Sequence, residues 1–321
     1  MNLENENILE NIIKTFYNKK LKQIVNIYQL KYTNGIAQGL GDYIRGCFCL
    51  LQISLLLNLQ FDMDLTNHPI SKYIKREDSW IKYNMDYDES KIAKYEDVNY
   101  IPINSKIYKK DSINFFTRFI NNINLLDKNV LNKSNNKYFI FCNSFPIFDN
   151  ITNNNRLFIQ SKLQPNEIMQ QNIKSTLIKL NLVSKQFAVI HIRSGDKYLL
   201  KNNKLNTNAV KKIIKILLTN IKMGTKYLVL SDNNQIKLLL TQIFPQFIFQ
   251  MSNITHLGES INQDDQSIME TLLDFYLMSN SFQIISFSPY NWGSGFSQWC
   301  SILYNIPFIK IQVLESTFEK G

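Results

Sequence analysis

Residues 187–196, Phe-Ala-Val-Ile-His-Ile-Arg-Ser-Gly-Asp, decide the predicted fold of this chain. Five of the first six residues are apolar, as in a parallel strand that is covered on both faces. His191, Arg193 and Asp196 then surround a Ser-Gly pair where the chain should leave the sheet. Ligands of open α/β sheets bind outside the carboxyl ends of the strands. An Arg beside a Gly there suits an anionic diphosphate, although Arg193 and Asp196 could equally form a solvated pair on an ordinary loop.

The rest of the second half alternates between strand and helix patterns, which predicts a parallel sheet in an α/β domain. The predicted strands span 187–192, 227–230, 247–249 and 283–286, and the predicted helices span 207–220, 234–243, 265–279 and 296–304.

The first half begins with a strand, a Gly-rich turn, a helix and a second strand, the order with which a doubly wound domain starts. A chain of 321 residues fits two domains of about 150 residues each, and we place them at 1–165 and 166–321. The strands are predicted at 28–32, 61–65 and 137–143, the helices at 43–59 and 167–180, and a loop or insertion at 76–110.

The segment His191-Ile-Arg193-Ser-Gly195-Asp196 resembles the HxRxGD motif of the GDP-fucose-dependent fucosyltransferases, which comprise the α1,2, α1,6 and protein O-fucosyl branches. In that family the Arg binds the β-phosphate of the sugar nucleotide. The resemblance implies a GT-B-like α/β fold with two facing Rossmann-like domains and parallel sheets. The first domain would bind the acceptor and the second the nucleotide sugar.

A second strand end, Ser231-Asp232-Asn233, is similar to the family motif that contacts guanine. A carboxylate such as that of Asp232 can accept hydrogen bonds from both N1–H and the exocyclic amino group of guanine. The alternative is that these residues cap the following helix, 234–243. The two roles are compatible.

A third segment resembles the Ser-rich turn that leads into a helix in the same family. Ser294, Gly295, Phe296 and Ser297 would offer N–H groups and hydroxyls to phosphate. The alternative is a plain Ser cap with two structural glycines. Residues 289–292 lengthen this turn relative to the family.

The first Gly-rich turn contributes Gly39 and Gly41, since in the family such a turn faces the diphosphate from the opposite domain. Dinucleotide folds and methyltransferases use similar turns. Asp42, in the same turn, is the candidate general base beside Arg193 in the catalytic set. An alternative for Arg45 is that it lies on the exposed side of its helix.

Other acidic residues receive no role in this interpretation. Asp62 with Asp64, and Asp86 with Asp88, form DxD sequences that could bind Mn²⁺ or Mg²⁺. Such pairs arise often by chance, so no metal site is predicted. Asp274 lies in a helix that also resembles the family and is interpreted as structural.

The composition narrows the choice of partner and compartment. The net charge is +10, but no Lys/Arg run carries interleaved aromatic residues, so an anionic nucleotide explains the charge better than nucleic acid. Four cysteines without a CxxC pair predict buried thiols and a reducing, cytoplasmic location. No signal peptide or transmembrane segment is predicted. The excess of Asn, Ile and Lys is typical of an AT-rich genome such as that of an amoebal giant virus, which would place the protein in host cytoplasm.

The expected function is therefore inverting transfer of fucose from GDP-fucose to a glycan or protein hydroxyl. GDP-fucose serves as the donor substrate, and no metal or other cofactor takes part. Two alternatives stay open: a non-catalytic nucleotide- or sugar-binding module of the same fold, and a transferase that uses another nucleotide sugar.

Overall fold

The computed structural model describes residues 23–28, 39–56, 59–76, 93–94, 137–141, 147, 150–194, 200–201, 204–258 and 264–313. Within these ranges the chain divides into two compact units. The first takes in the residues up to 28 together with Asp42–Ser71 and Lys75–Gln164, and the second takes in Gly39–Gly41, Lys72–Ile74 and the residues from Pro165 onward.

The first unit is built on a parallel sheet whose strand order is β2-β1-β4-β3. A short 3-10 helix, Pro69–Tyr73, follows the second strand. The elements are β1 (Gln23–Ile27), α1 (Leu40–Leu56), β2 (Gln60–Asp64), β3 (Ala93–Lys94), β4 (Lys137–Phe141) and α2 (Asn153–Lys162).

Some predictions for the first half differ from the structure. The first described strand is Gln23–Ile27, where pairing with β2 and β4 outweighs a weak local pattern, and the strand predicted at 28–32 lies, apart from Tyr28, outside the described residues. Helix α1 begins at Leu40, so Gly41 and Asp42 are helical instead of belonging to the turn. Arg45 is buried, with 3% of its surface exposed, so the alternative that it faces solvent was wrong.

Helix α2 was not predicted, because its sequence Asn-Asn-Asn-Arg-Leu-Phe-Ile-Gln-Ser-Lys is largely polar. The local signal for it is a capping box. Thr152 Oγ1 accepts a hydrogen bond from Asn155 N at 3.2 Å, and Asn155 Oδ1 accepts one from Thr152 N at 3.0 Å. This reciprocal pair satisfies two backbone donors that the first turn would otherwise leave unpaired.

The second unit contains a parallel sheet in the order β11-β10-β5-β8-β9. The predicted strand 187–192 and helices 207–220, 234–243 and 265–279 are confirmed. The elements are α3 (Glu167–Lys179), β5 (Phe187–Ile192), β6 (Leu200–Lys201), β7 (Lys204–Leu205), α4 (Thr207–Asn220), β8 (Lys226–Ser231), α5 (Asn234–Ile243), β9 (Phe247–Ile248), α6 (Asp265–Ser279), β10 (Gln283–Ser288), α7 (Gly295–Tyr304) and β11 (Phe308–Gln312).

The central strand β5 is buried at all six positions. Strand β11 was not predicted because it is an edge strand with a half-exposed pattern, and so it lacks a continuous apolar run. Cys47, Cys49 and Cys300 are buried free thiols, as predicted. Cys142 lies outside the described residues.

The strand order creates a switch point beside β5. The chain runs from β5 through β8 to β9 in one direction, then returns to place β10 and β11 on the other side of β5. In such sheets a crevice opens at the carboxyl ends of the two strands where the order reverses, and ligands bind there. In this unit those strands are β5 and β10.

Within the described ranges, no helix combines the length and apolar character that crossing a bilayer requires.

Candidate functional site

The residues that follow β5, β8 and β10 meet at one edge of the second unit's sheet. Ile192 is in register with Ser231 on one side and with Phe287 on the other. Arg193 N donates a hydrogen bond to Phe287 O at 2.9 Å, which holds the start of the β5 loop against β10. The sequence motifs at the three strand ends therefore lie beside one another.

Arg193 is anchored by Asp232, with 3.3 Å between Arg193 Nη1 and Asp232 Oδ2. The other oxygen of Asp232, Oδ1, accepts hydrogen bonds from Ser194 N at 2.7 Å and from Ser194 Oγ at 2.5 Å. The Arg193 side chain keeps 26% of its surface exposed. A guanidinium has five N–H donors in a planar fork, so it can hold an anion while one edge contacts Asp232.

Asn233, and not Asp232, caps helix α5. Asn233 Oδ1 accepts hydrogen bonds from Gln235 N at 2.8 Å and from Ile236 N at 3.2 Å. Both carboxylate oxygens of Asp232 have partners in the protein, so Asp232 in this structure joins the ends of β5 and β8. Direct contact with a base would require it to share an oxygen.

His191 is a buried neutral imidazole, because burial lowers its pKa to about 4. The negative charge of Asp232 opposes this shift, and the positive charges of Arg193 and Lys237 add to it. Among the described residues, His191 Nδ1 has no hydrogen-bond partner. The ring centroid lies 6.0 Å from that of Phe296, so the imidazole sits next to the start of α7.

The N-terminus of α7 presents unpaired backbone donors. The N-cap residue Ser294 makes no side-chain capping bond, and Gln298 N makes the first intrahelical bond, to Ser294 O at 3.0 Å. The N–H groups before it have no intrahelical acceptor, and the helix dipole makes them a site for anions. The hydroxyl of Ser297 is buried and lies 2.8 Å from Ser286 Oγ. Ser297 therefore offers a ligand its backbone N–H.

Gly41 packs directly on this helix start. A Cβ at Gly41 would lie 2.4 Å from the carbonyl carbon and oxygen of Gly295 and 2.8 Å from Phe296 N. Gly39 has more room, because a Cβ there would lie 3.6 Å from His256 Nε2. Only glycine fits at position 41 without moving α7.

Two buried titratable residues interact electrostatically with the site's charged groups, and neither was assigned to the site from the sequence. Asp274 on α6 was interpreted as structural, yet burial raises its pKa to about 7, and its Oδ1 has no partner among the described residues. Lys237 on α5 is fully buried, and its Nζ donates to Ser252 Oγ at 2.6 Å. Burial lowers the pKa of Lys237, against the attraction of Asp274 and Asp232. Its only sequence signal is that it shares a helix face with Leu240.

Several solved structures of fucosyltransferases have a similar fold. NodZ from Bradyrhizobium is 11% identical over 91% of this chain and 96% of its own, with a TM-score of 0.53. The NodZ α-1,6-fucosyltransferase soaked with GDP-fucose is 12% identical over 91% of this chain and 95% of its own, with a TM-score of 0.54. A mutant of Arabidopsis thaliana FUT1 in complex with GDP is 11% identical over 94% of this chain and 74% of its own, with a TM-score of 0.51.

The chain has a GT-B fold. No protein-family model matches its sequence, and no curated protein matches it either.

The remaining predicted residues of this GT-B chain are placed as follows. Asp42 lies in the first turn of α1, in the first unit, and its catalytic role stays a prediction. Gly195 and Asp196 of the quoted motif lie outside the described residues, so their roles stay predictions as well.

The DxD sequence in the first unit is engaged within the protein. Asp62 Oδ1 lies 2.8 Å from Lys162 Nζ, and Asp64 Oδ1 accepts hydrogen bonds from Thr66 N at 2.9 Å and Thr66 Oγ1 at 2.6 Å. Over the described ranges, no three His, Cys, Asp or Glu side chains form a group that could hold a metal ion. Asp86 and Asp88 lie outside those ranges.

Proposed function

We propose that this chain is a glycosyltransferase that transfers fucose from GDP-fucose to a hydroxyl of a glycan or protein, with inversion and without a metal. The observation that carries the proposal is the placement of Arg193, which Asp232 anchors at the switch point where α7 begins. A guanidinium and free helix N–H groups together form a site for a diphosphate. Structures of similar fold were solved with GDP or GDP-fucose.

Arg193 would neutralise the β-phosphate as the bond from the anomeric carbon to the phosphate oxygen breaks. A preorganised positive charge of this kind stabilises the departing GDP without a metal. The N–H groups of Gly295 and Phe296 would hold phosphate oxygens, with the Ser294 hydroxyl beside them. Gly41 supports that helix start by its close packing on Gly295.

The acceptor hydroxyl would attack the anomeric carbon in line and so invert it. Its proton must pass to a general base, for which Asp42 is the candidate. The first unit would bind the acceptor, and the second unit the donor.

The nucleoside would be held by the buried polar atoms that the protein leaves unpaired. His191 Nδ1 and Asp274 Oδ1 are both of this kind among the described residues, and both groups interact electrostatically with Lys237. Buried polar atoms normally have hydrogen-bond partners, so a ligand that supplies them gains binding energy. Guanine offers N1–H and an amino group, which fit a carboxylate. Asp232 would then act mainly by positioning Arg193.

The test is a titration of the purified chain with GDP, GDP-fucose and UDP by calorimetry, followed by an assay of GDP release from GDP-fucose with and without acceptors. We expect GDP and GDP-fucose to bind at least about tenfold more tightly than UDP, since one guanine-specific hydrogen bond to a charged group contributes that much. UDP binding of equal strength would contradict the donor assignment. GDP binding without release from GDP-fucose on any acceptor would favour the non-catalytic module.

A further inference from the structure

The loop between β10 and α7 carries a stacked aromatic pair. The ring centroids of Tyr290 and Trp292 lie 5.0 Å apart, with 15° between the ring planes. Trp292 keeps 40% of its surface exposed. The stacked pair therefore presents aromatic surface that a ligand with an apolar face would bury.

The loop is fixed by its own hydrogen bonds. Tyr290 N donates to Ser288 Oγ at 3.2 Å, and Gly293 N donates to Tyr290 O at 3.1 Å. Lys310 Nζ, from the edge strand β11, donates to Asn291 O at 3.1 Å. Gly293 has φ +90°, a conformation that favours glycine. Because the loop is already ordered, a ligand that contacts these rings loses little binding free energy to ordering it.

The pair also lies next to the candidate site. Ser288 ends β10 at the carboxyl edge of the sheet, and Ser294 occupies the N-cap position of α7, whose free N–H groups form part of that site. The aromatic residues occupy the few positions between them.

The chemistry of the loop points to a neutral ligand with an apolar face. The sequence Pro-Tyr-Asn-Trp-Gly at 289–293 contains no charged side chain, and the ammonium of Lys310 is directed at the Asn291 carbonyl. A pyranose ring has a face of C–H groups that packs on an aromatic ring, while its hydroxyls are hydrogen-bonded around the edge.

We propose that Tyr290 and Trp292 form a sugar-binding platform that holds a pyranose ring of a glycan acceptor beside the donor site. The acceptor role rests on the proposed function, whereas the binding of a sugar by the platform does not. The proposal selects a glycan over a protein as the acceptor class.

The test measures binding of two neutral oligosaccharides, cellotetraose and N-acetyllactosamine, to the full chain by saturation-transfer NMR titration with and without GDP. We expect Trp292→Ala to weaken binding by about tenfold, the effect of losing a strong aromatic contact, and Trp292→Phe to weaken it less. Phe282→Ala is the matched control. Phe282 is 38% exposed and directly precedes β10 at the opposite end of the strand, so its removal should change nothing.

Calorimetry with GDP on the same variants shows that each is folded and separates the two proposals. Two outcomes with normal GDP binding would overturn the platform and leave the proposed function intact. In the first, Trp292→Ala leaves oligosaccharide binding unchanged. In the second, neither sugar binds to the wild type. Trp292-dependent sugar binding without GDP binding would keep the platform and contradict the donor assignment. The proposal would also be overturned if binding of a Ser/Thr peptide depended on Trp292 and binding of the sugars did not.

Discussion

Arg193 and Asp232 lie on adjacent strand ends and form an ion pair, with 3.3 Å between Nη1 and Oδ2. The pair is partly exposed, so its own contribution to stability is small, about 0–1 kcal/mol. Its consequence is geometric. It orients a guanidinium at the edge of the sheet where β10 ends and α7 begins. The two partners belong to the polar pairs that follow β5 and β8.

We expect Arg193→Lys to reduce GDP affinity and turnover by about 10- to 100-fold, although the charge is kept. An ammonium cannot reproduce the two-point contact of the planar fork. A charge-assisted hydrogen bond contributes about 1.5–3 kcal/mol, which corresponds to about one to two orders of magnitude in rate.

The check is calorimetry, turnover and melting temperature. Arg156→Lys on α2 is the matched control, since Arg156 is also half-buried but lies in the first unit. If Arg193→Lys lowered the melting temperature while GDP binding stayed normal, Arg193 would be structural.

We expect Gly41→Ala to weaken GDP binding by at least about tenfold and to lower the melting temperature. A Cβ at this position lies 2.4 Å from backbone atoms of Gly295, so the first turn of α7 must move. In a helix interior, Gly→Ala otherwise stabilises the protein by about 0.5–1 kcal/mol. A lower melting temperature would therefore indicate the clash with α7. Gly39→Ala is the control for the melting temperature, because its Cβ would make only ordinary contact with His256. Equal behaviour of the two variants would contradict the close packing.

We expect Asp232→Asn and Asp274→Asn to affect nucleotide binding differently. Asp232→Asn should weaken GDP and UDP equally, because it releases Arg193 from its anchor. Asp274→Asn should weaken GDP by about tenfold while sparing UDP, as for loss of one hydrogen bond between guanine and a charged group. Paired titrations of GDP and UDP against each variant measure the ratio. Selective loss of GDP binding in Asp232→Asn alone would assign base recognition to Asp232, as the motif resemblance implies.

We expect the stability of the second unit to depend on pH through His191 and Asp274 in opposite senses. The folded pKa of His191 is about 4, below its ordinary 6.5, so the unfolded chain binds more protons and stability falls as pH drops from 6.5 to 4. The folded pKa of Asp274 is about 7, above its ordinary 3.8, so stability falls as pH rises from 4 to 7. The effect is on the order of 3 kcal/mol for His191 and about 4 kcal/mol for Asp274.

Urea unfolding at several pH values between 4.5 and 7.5 tests this linkage. Relative to the wild type, Asp274→Asn should gain stability as pH rises, and His191→Asn should lose it. Parallel pH profiles for the wild type and both variants would show that neither group has a shifted pKa.

We expect GDP affinity to be unchanged by EDTA, since Arg193 and the N–H groups of α7 replace a metal. The measurement is calorimetry before and after chelation, with Mn²⁺ and Mg²⁺ added back. Loss of binding on chelation, restored by either ion, would contradict the metal-free mechanism and direct attention to the DxD sequences. Among these, Asp62 already contacts Lys162 at 2.8 Å.

The sequence predicted the second unit better than the first. The strand 187–192 and three helices of the second unit have the predicted bounds, because the strand is a nearly continuous apolar run and each helix has an Asn or Asp at its N-cap. In the first unit, β1 has a short, mixed sequence, and its position depends on pairing with β2 and β4. Edge strand β11 and helix α2 were not predicted from the sequence, because β11 is half-exposed and α2 is largely polar.

Local sequence by itself determined that polar residues follow buried strands at Arg193 and Asp232, because an apolar run and its end are readable within a few residues. Only the tertiary structure decided that Asp232 holds Arg193, that Lys237 is buried beside the site, and that Asp274 keeps an unpaired oxygen. The physical reason is that β10 and β8 flank β5 by a strand order that reverses along the chain. Side-chain partners and burial across strand ends follow from that order, which no local pattern encodes.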